Sequence, residues 1–340
     1  MNTTEIAPII LEKAPLILAE IKKANNILLH CHPSPDPDSV GSALAMKFAL
    51  EQLGKKATVI KGDSEIPQAF MHFPGAKDIV QKNYFEVDLK EYDLFIVLDT
   101  ASLSRISTIN NVILPDTISV IDIDHHFTNP GFGKINLVVS DYPATCQILF
   151  DLFSSWNINI TPDIAANLFI GIYTDTGGFK FRGATPRTFE VAAKLTPVIP
   201  SFPKIISDME NSNSPEFIAF QGLALSSVET FFNGVLALSV VSNKALNARG
   251  IPSLVTSSSS ISPQLITVSA WKIGGALVEI EPGKVKVSFR TSDSDNYDVS
   301  KLAIAVGGGG HKAAAAATIP LSIEKAKELV VSKAKELYNL

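Results

Sequence analysis

Only two cysteines, Cys31 and Cys146, occur among the 340 residues, too few for a disulfide scaffold and at a spacing that matches no zinc motif. Both are expected as buried thiols of a reducing compartment. No apolar run is long enough to span a bilayer, and residues 1–8 lack the basic start and apolar core of a secretory leader. The expectation is a cytoplasmic protein with no membrane partner. There is also no run of Lys and Arg, and 29 basic against 34 acidic side chains leave a net charge of −5. A surface that grips long nucleic acid through many phosphates normally carries a basic stripe. A long duplex is therefore excluded as a partner, and any nucleic-acid substrate is expected to be short.

Apolar residues are abundant: 46% of the chain is hydrophobic against 19% charged, ample for a packed core and long for one ordinary domain. Two domains are expected, 1–195 and 216–340. The linker falls at 196–215, where Pro197, Pro200, Pro203 and then Asn211-Ser212-Asn213-Ser214-Pro215 break the pattern. In the first domain the runs 27–32, 57–61, 94–98 and 118–123 read as strands. They alternate with helical spacing over 8–24, 39–50, 144–156, 161–174 and 185–195. This alternation predicts an α/β fold with a doubly wound, mainly parallel sheet and right-handed crossovers. Pro15 is expected to kink or divide the first helix. In the smaller second α/β domain, 216–228 reads as a helix, 234–241 as a strand and 276–280 with 285–290 as a hairpin. Residues 256–263 read as a polar loop, and 323–337 as a terminal helix.

Polar residues gather where these elements end. Asp124-His125-His126 follows the run 118–123, Asp99 closes 94–98, and His32-Pro33-Ser34-Pro35-Asp36-Pro37-Asp38 follows 27–29. Asp175, in Thr174-Asp175-Thr176-Gly177-Gly178, closes a helix. A pair of histidines on one strand end is weak evidence alone. In an open α/β sheet, however, the carboxyl ends of neighbouring strands face one crevice. His32, Asp36, Asp38, Asp99, Asp124, His125, His126 and Asp175 are therefore expected to form one site.

Oxygen and imidazole donors without thiolate suit Mn²⁺, and also Mg²⁺, Fe²⁺ or Co²⁺, better than a structural zinc. Six to eight such groups are too many for one open ion but suit two ions about 3.5 to 4 Å apart. Two such ions make a nucleophile available at neutral pH and hold a phosphate, which points to metal-assisted hydrolysis of phosphoesters or phosphoanhydrides. The second domain carries Gly307-Gly308-Gly309-Gly310-His311-Lys312 before Ala313 to Ala317. Four glycines maximise the backbone freedom lost on folding, so a purpose other than stability is expected. Successive open N–H groups can wrap an anion; a hinge before a helix is the plain alternative.

Taken together, these motifs resemble the DHH phosphoesterases: Asp124-His125-His126, His32-x-x-x-Asp36-x-Asp38-x-x-Gly41-Ser42, Asp99 and Thr174-Asp175-Thr176-Gly177-Gly178. The glycine–histidine run resembles the signature of the DHH-associated C-terminal domain. Order, spacing and length are similar to the short two-domain nanoRNase and pAp phosphatase members over nearly the whole chain. The resemblance implies that His32, Asp36 and Asp99 hold one ion and Asp38, Asp99, His125 and Asp175 the second, with Asp99 bridging. It implies that His126 faces the scissile phosphate and that Asp124 orients the histidine pair. Arg290, in Ser288-Phe289-Arg290, would bind a terminal phosphate, and Gly308, Gly309, Gly310 and His311 the nucleotide end. The substrate would lie between the domains. One departure is the unbroken Ala313 to Ala317, where family members often carry a glycine; an alanine there would narrow the pocket or oppose a turn of positive φ.

The activity so implied is exonuclease-like RNA degradation. A Mn²⁺-dependent phosphodiesterase or phosphatase would cut nanoRNA and linear dinucleotides such as pApA to nucleoside monophosphates, and act on pAp. Self-association into a homodimer is left open. Three rival readings stand beside it: a family II inorganic pyrophosphatase, a processive exonuclease needing further domains and basic surface, and a nucleotide-binding sensor that has lost catalysis.

Overall fold

Parallel strands buried on both faces carry near-continuous apolar runs, and the runs of the first half of the chain become such strands. In the computed structural model, which describes residues 5–340 apart from 182 and 212, the elements run in order as follows. Helix α1 (Pro8–Lys23) precedes β1 (Asn26–His30), α2 (Pro37–Gln52), β2 (Lys56–Ile60), β3 (Leu94–Leu98), β4 (Ser119–Asp124) and β5 (Ile135–Val138). Helices α3 (Thr145–Ser155), α4 (Pro162–Asp175), α5 (Pro186–Leu195) and α6 (Phe202–Glu210) follow. The sheet order is β2-β1-β3-β4-β5, and every pairing is parallel. Strand order reverses between β1 and β3, the position where ligands of doubly wound sheets bind.

One face of this sheet, with Ile27, Leu29, Ile96, Ile121 and Ile123, is buried under the helices. The other, with Leu28, Phe95, Val97 and Val120, is covered by the irregular segment carrying Tyr84, Ile106 and Val112. Helix α1 runs unbroken through Pro15. It is not divided, because the N–H that proline lacks falls on the exposed side of the helix, beside Leu11 and Leu16. Cys31 and Cys146 are free and buried. No helix among the described residues is long and apolar enough to cross a membrane. The N-terminal reading of 1–8 falls partly on 1–4, outside the described residues.

The chain divides into the units Met1–Ser212 and Asn213–Leu340. Within the stretch expected as a linker, α6 is a helix that packs Ile205, Ile206 and Met209 against the core of the first unit. Of the run 211–215, Ser212 lies outside the described residues. The second unit contains α7 (Pro215–Ser226), β6 (Val228–Phe231), β7 (Leu236–Val241), α8 (Asn243–Ala248) and α9 (Ser258–Leu265). It continues with β8 (Ile273–Glu281), β9 (Lys284–Thr291), α10 (Val299–Ala305), β10 (Gly309–His311), β11 (Ala314–Ile319) and α11 (Ile323–Tyr338). These strands form a mixed sheet of order β10-β11-β9-β8-β7-β6, parallel only between β7 and β8.

One expectation and one alternative are corrected here. The serine-rich 256–263 is largely helix α9, whose buried Ile261 and Leu265 pack beneath the sheet. Its serines hide two apolar anchors at helical spacing. The alanine run does not begin a helix: Ala314 to Ala317 lie in β11, alternating in burial between β9 and β10. None of them has a positive φ among the described residues, so a left-handed turn is not required of alanine there.

Candidate metal centre

Each strand end contributes one corner of a single cluster. Asp36 caps α2 by accepting the Ser39 N–H at 2.9 Å, and Ser39 Oγ accepts the His32 N–H at 3.0 Å, so the loop after β1 is fixed by its own residues. Asp38 is fully buried; its carboxylate accepts the N–H groups of Thr145 at 2.7 Å and Cys146 at 2.9 Å, at the amino end of α3. The partial positive charge of a helix amino end suits that carboxylate. Asp99, 2% exposed, has φ +54° and accepts from Thr145 Oγ1 at 3.2 Å.

The donors converge on shared points. His32 Nε2 lies 3.5 Å from Asp36 Oδ2 and 3.6 Å from Asp99 Oδ2. His125 Nε2 lies 3.3 Å from Asp99 Oδ1 and 3.5 Å from Asp175 Oδ2. These separations exceed good N–H···O hydrogen bonds, as donor atoms do when they face a common ion. Three groups meet the geometry of a cation site: His32, Asp36 and Asp99; Asp38, His125 and Asp175; and Asp99, Asp124, His125 and His126. All oxygen and nitrogen, these donors fit hard or borderline divalent cations. The cysteines stay out: Cys146 Sγ faces the carbonyls of Asp38 and Asn167.

Asp124 works on both histidines. Its Oδ1 accepts the His125 N–H at 2.8 Å and bonds His126 Nδ1 at 2.7 Å. His126 keeps 41% of its side chain exposed, so its ring can meet a ligand from solvent. The Asp124 hydrogen bond raises the proton affinity of His126. Burial opposes the Asp124 charge, but the His126 contact keeps that carboxyl below the usual range.

Elsewhere the crowd of carboxylates favours protons. Burial, then the charges of Asp38 and Asp99, pushes Asp175 up to about 10. Burial and Asp99 push Asp38 up to about 7. Burial disfavours a charged His125, yet the hydrogen bond and charge of Asp99 hold it at about 10. A site that collects protons this strongly is built for positive charge.

The structure thus brings together all eight residues expected in the first domain. Arg290 and His311 share a face of the second sheet, since both are the register partners of Ala314, from β9 and β10. Gly309 and Gly310 belong to an edge strand instead of an open loop. Packing accounts for part of the glycine run: a Cβ on Gly308 would stand 2.1 Å from the Ala316 carbonyl oxygen, and one on Gly310 2.5 Å from Ala315 Cα. Close approach to β11 therefore demands these glycines.

Sequence reasoning missed Asn129. Buried in the loop after the histidines, its Nδ2 donates to Asp124 Oδ2 at 2.9 Å, to Asp122 Oδ1 at 3.1 Å and to the Thr100 carbonyl at 3.2 Å. It ties the loop after β4 to the loop after β3. The signal was an asparagine a few residues beyond a strand end crowded with acids. His30, the last residue of β1, is buried against Phe95 with neither ring nitrogen hydrogen-bonded.

A parallel sheet whose carboxyl ends gather three histidines and five aspartates defines an α/β protein built to hold divalent cations. The chain belongs to the DHH family: the DHH family N-terminal domain matches residues 26–172, and the DHHA1 domain matches 260–339. It is 31% identical over 327 residues to the bifunctional oligoribonuclease and PAP phosphatase NrnA of Thermus thermophilus, covering 94% of this chain and 93% of that protein. It is 29% identical over 307 residues to the probable bifunctional oligoribonuclease and PAP phosphatase NrnA of Streptococcus mutans, with 88% and 92% covered. An exopolyphosphatase-related protein of Bacteroides fragilis shares the fold, with a TM-score of 0.88 and 22% identity over 99% of this chain and 98% of that one.

Proposed function

We propose that the chain is a cytoplasmic, metal-dependent hydrolase of phosphoester bonds. It cuts very short RNA and linear dinucleotides to nucleoside monophosphates and also removes the 3′-phosphate of pAp. The observation that carries this reading is the division of Asp99, whose two oxygens face two different histidines and so join two donor sets into one centre. His32, Asp36 and Asp99 would hold one divalent cation and Asp38, Asp99, His125 and Asp175 another, with Mn²⁺ the best match to the donors. Bound there, the cations supply Lewis acidity and offset the charge of a phosphate. The names of the Thermus and Streptococcus relatives support the substrate class.

The side chains divide the remaining work. His126, its ring oriented by Asp124, passes a proton to the leaving oxygen through its half-exposed edge. Arg290, Gly308 to Gly310 and His311 bind a phosphate or nucleotide of the substrate; a guanidinium suits a terminal phosphate because its donors form a fork. The net charge of −5 and the absence of a basic run support a short substrate.

The test is product analysis of the Mn²⁺-loaded protein offered a 5′-phosphorylated dinucleotide, a long RNA, pAp and pyrophosphate in parallel. Rapid loss of the dinucleotide and pAp with slow loss of the long RNA is the expected result. Cleavage of pyrophosphate alone would overturn the reading.

A further inference from the structure

The loop that follows Asp175 holds an aromatic ring in a place that the metal cluster does not explain. Gly177, Gly178 and Phe179 have φ of +59°, +67° and +64° in succession. A phenylalanine in the left-handed region is strained, and such strain persists only where the surroundings hold it. Here buried Thr176 does so: its Oγ1 accepts the Phe179 N–H at 3.0 Å, and its carbonyl accepts the N–H groups of Lys180 and Phe181, each at 2.9 Å.

This tight return turns Phe179 inward, onto Tyr173 and Phe189, and lays Phe181 over Gly177. Cζ, Cε1 and Cε2 of Phe181 lie 2.5, 2.6 and 2.7 Å from the point that a Cβ on Gly177 would occupy. Such near-equal distances to three adjacent carbons put that point against the face of the ring, not its edge. The ring is therefore bedded on a residue without a side chain, and Phe181 remains 61% exposed.

We propose that Phe181 is a stacking platform for a nucleobase of the substrate. The proposal rests on the function put forward above and adds the group that grips a base beside the cations. A single exposed phenylalanine is ordinary on a protein surface. A ring seated flat by three left-handed residues, beside a metal-binding aspartate, is not. Gly177 is two residues from Asp175, so their Cα atoms are at most about 7.6 Å apart. In the sequence, Phe181 stands between Lys180 and Arg182, the latter outside the described residues, in a chain of net charge −5. A basic–aromatic–basic run suits a ligand that is both flat and anionic, and aromatic rings stack on any base regardless of its sequence.

Kinetics of the Mn²⁺-loaded protein on a 5′-phosphorylated dinucleotide, and on the same backbone without bases, test this in wild type, Phe181→Ala and Phe181→Trp. Equilibrium binding of AMP is measured alongside. Phe181→Ala is expected to raise the KM for the dinucleotide about tenfold, equivalent to about 1.4 kcal/mol, with kcat within about twofold. The base-free substrate should show no change, and Phe181→Trp should restore the lower KM. An unchanged KM for the dinucleotide, or an equal rise for both substrates, would overturn the platform. If the wild type fails to cut the dinucleotide, the proposed function falls and AMP decides the platform. About tenfold weaker AMP binding by Phe181→Ala supports it; equal binding, or none by either protein, overturns it.

Discussion

Asp99 divides itself between two histidines: Oδ1 lies 3.3 Å from His125 Nε2, and Oδ2 lies 3.6 Å from His32 Nε2. Its backbone sits at φ +54°, and its N–H donates to the Ile123 carbonyl at 3.1 Å. A side chain launched from a strand end in this conformation reaches both donor sets. The loops after β1 and β4 thus depend on one carboxylate from β3, which lies between them in the sheet.

Asn129 holds that arrangement from behind. Replacing it with alanine removes the donor shared by Asp124, Asp122 and Thr100. Loss of a group that orients metal ligands lowers cation affinity or activity by about 10- to 100-fold. Asn129→Ala should fall in that range when Mn²⁺ binding is titrated by calorimetry. An affinity equal to wild type would show that the histidine loop holds itself.

Protons stand in for cations in the metal-free protein. Folded Asp38 and Asp175 keep protons up to about 7 and about 10, against a usual 3.8, and His125 keeps its proton up to about 10, against 6.5. All three bind protons more tightly folded than unfolded. The stability of the metal-free chain should therefore decline as pH rises above the ordinary carboxylate range and on towards about 10. A melting temperature taken with chelator should drop between about pH 5 and about pH 8, and saturating Mn²⁺ should remove most of that drop. A chelated protein that gains stability across this range would contradict the assigned environments.

Asp124→Asn keeps the size of the side chain but removes the charge beside His126. Without that charge, which also strengthens the hydrogen bond to Nδ1, the His126 proton affinity should fall, moving the limb of the pH–rate profile that it governs to lower pH. A positioned acid or base contributes about 10²- to 10⁴-fold to rate, so kcat should drop within that range. An unshifted limb would assign the proton transfer to another group.

Much of this site was legible because parallel strands buried on both faces leave apolar runs, and their ends mark where ligands fall. The runs ending before His32, Asp99 and Asp124 were plain on that ground. Of the edge strands, β2 was equally plain, but β5 and β6 were not. These two are four residues each, and no residue of β6 is buried on either face, so no alternation distinguished them. Prolines misled in the stretch 196–215: Pro203 lies in the first turn of α6, where its missing N–H has no intrahelical partner to lose. Alanine is a poor strand former, and Ala314 to Ala317 are extended because β9 pairs with all four and β10 with the first three. Asn129 was overlooked because its role appears only once the loops after β3 and β4 stand side by side.

The most direct measurement is Mn²⁺ stoichiometry together with dinucleotide hydrolysis for wild type and Asp99→Ala. Two donor sets joined by Asp99 predict two bound ions and rapid hydrolysis in the wild type. In the variant, the second ion should be lost and the rate should fall by at least about 10³-fold. A variant that still binds two ions and cleaves the dinucleotide at the wild-type rate would contradict the bridging role of Asp99, and with it the proposed centre.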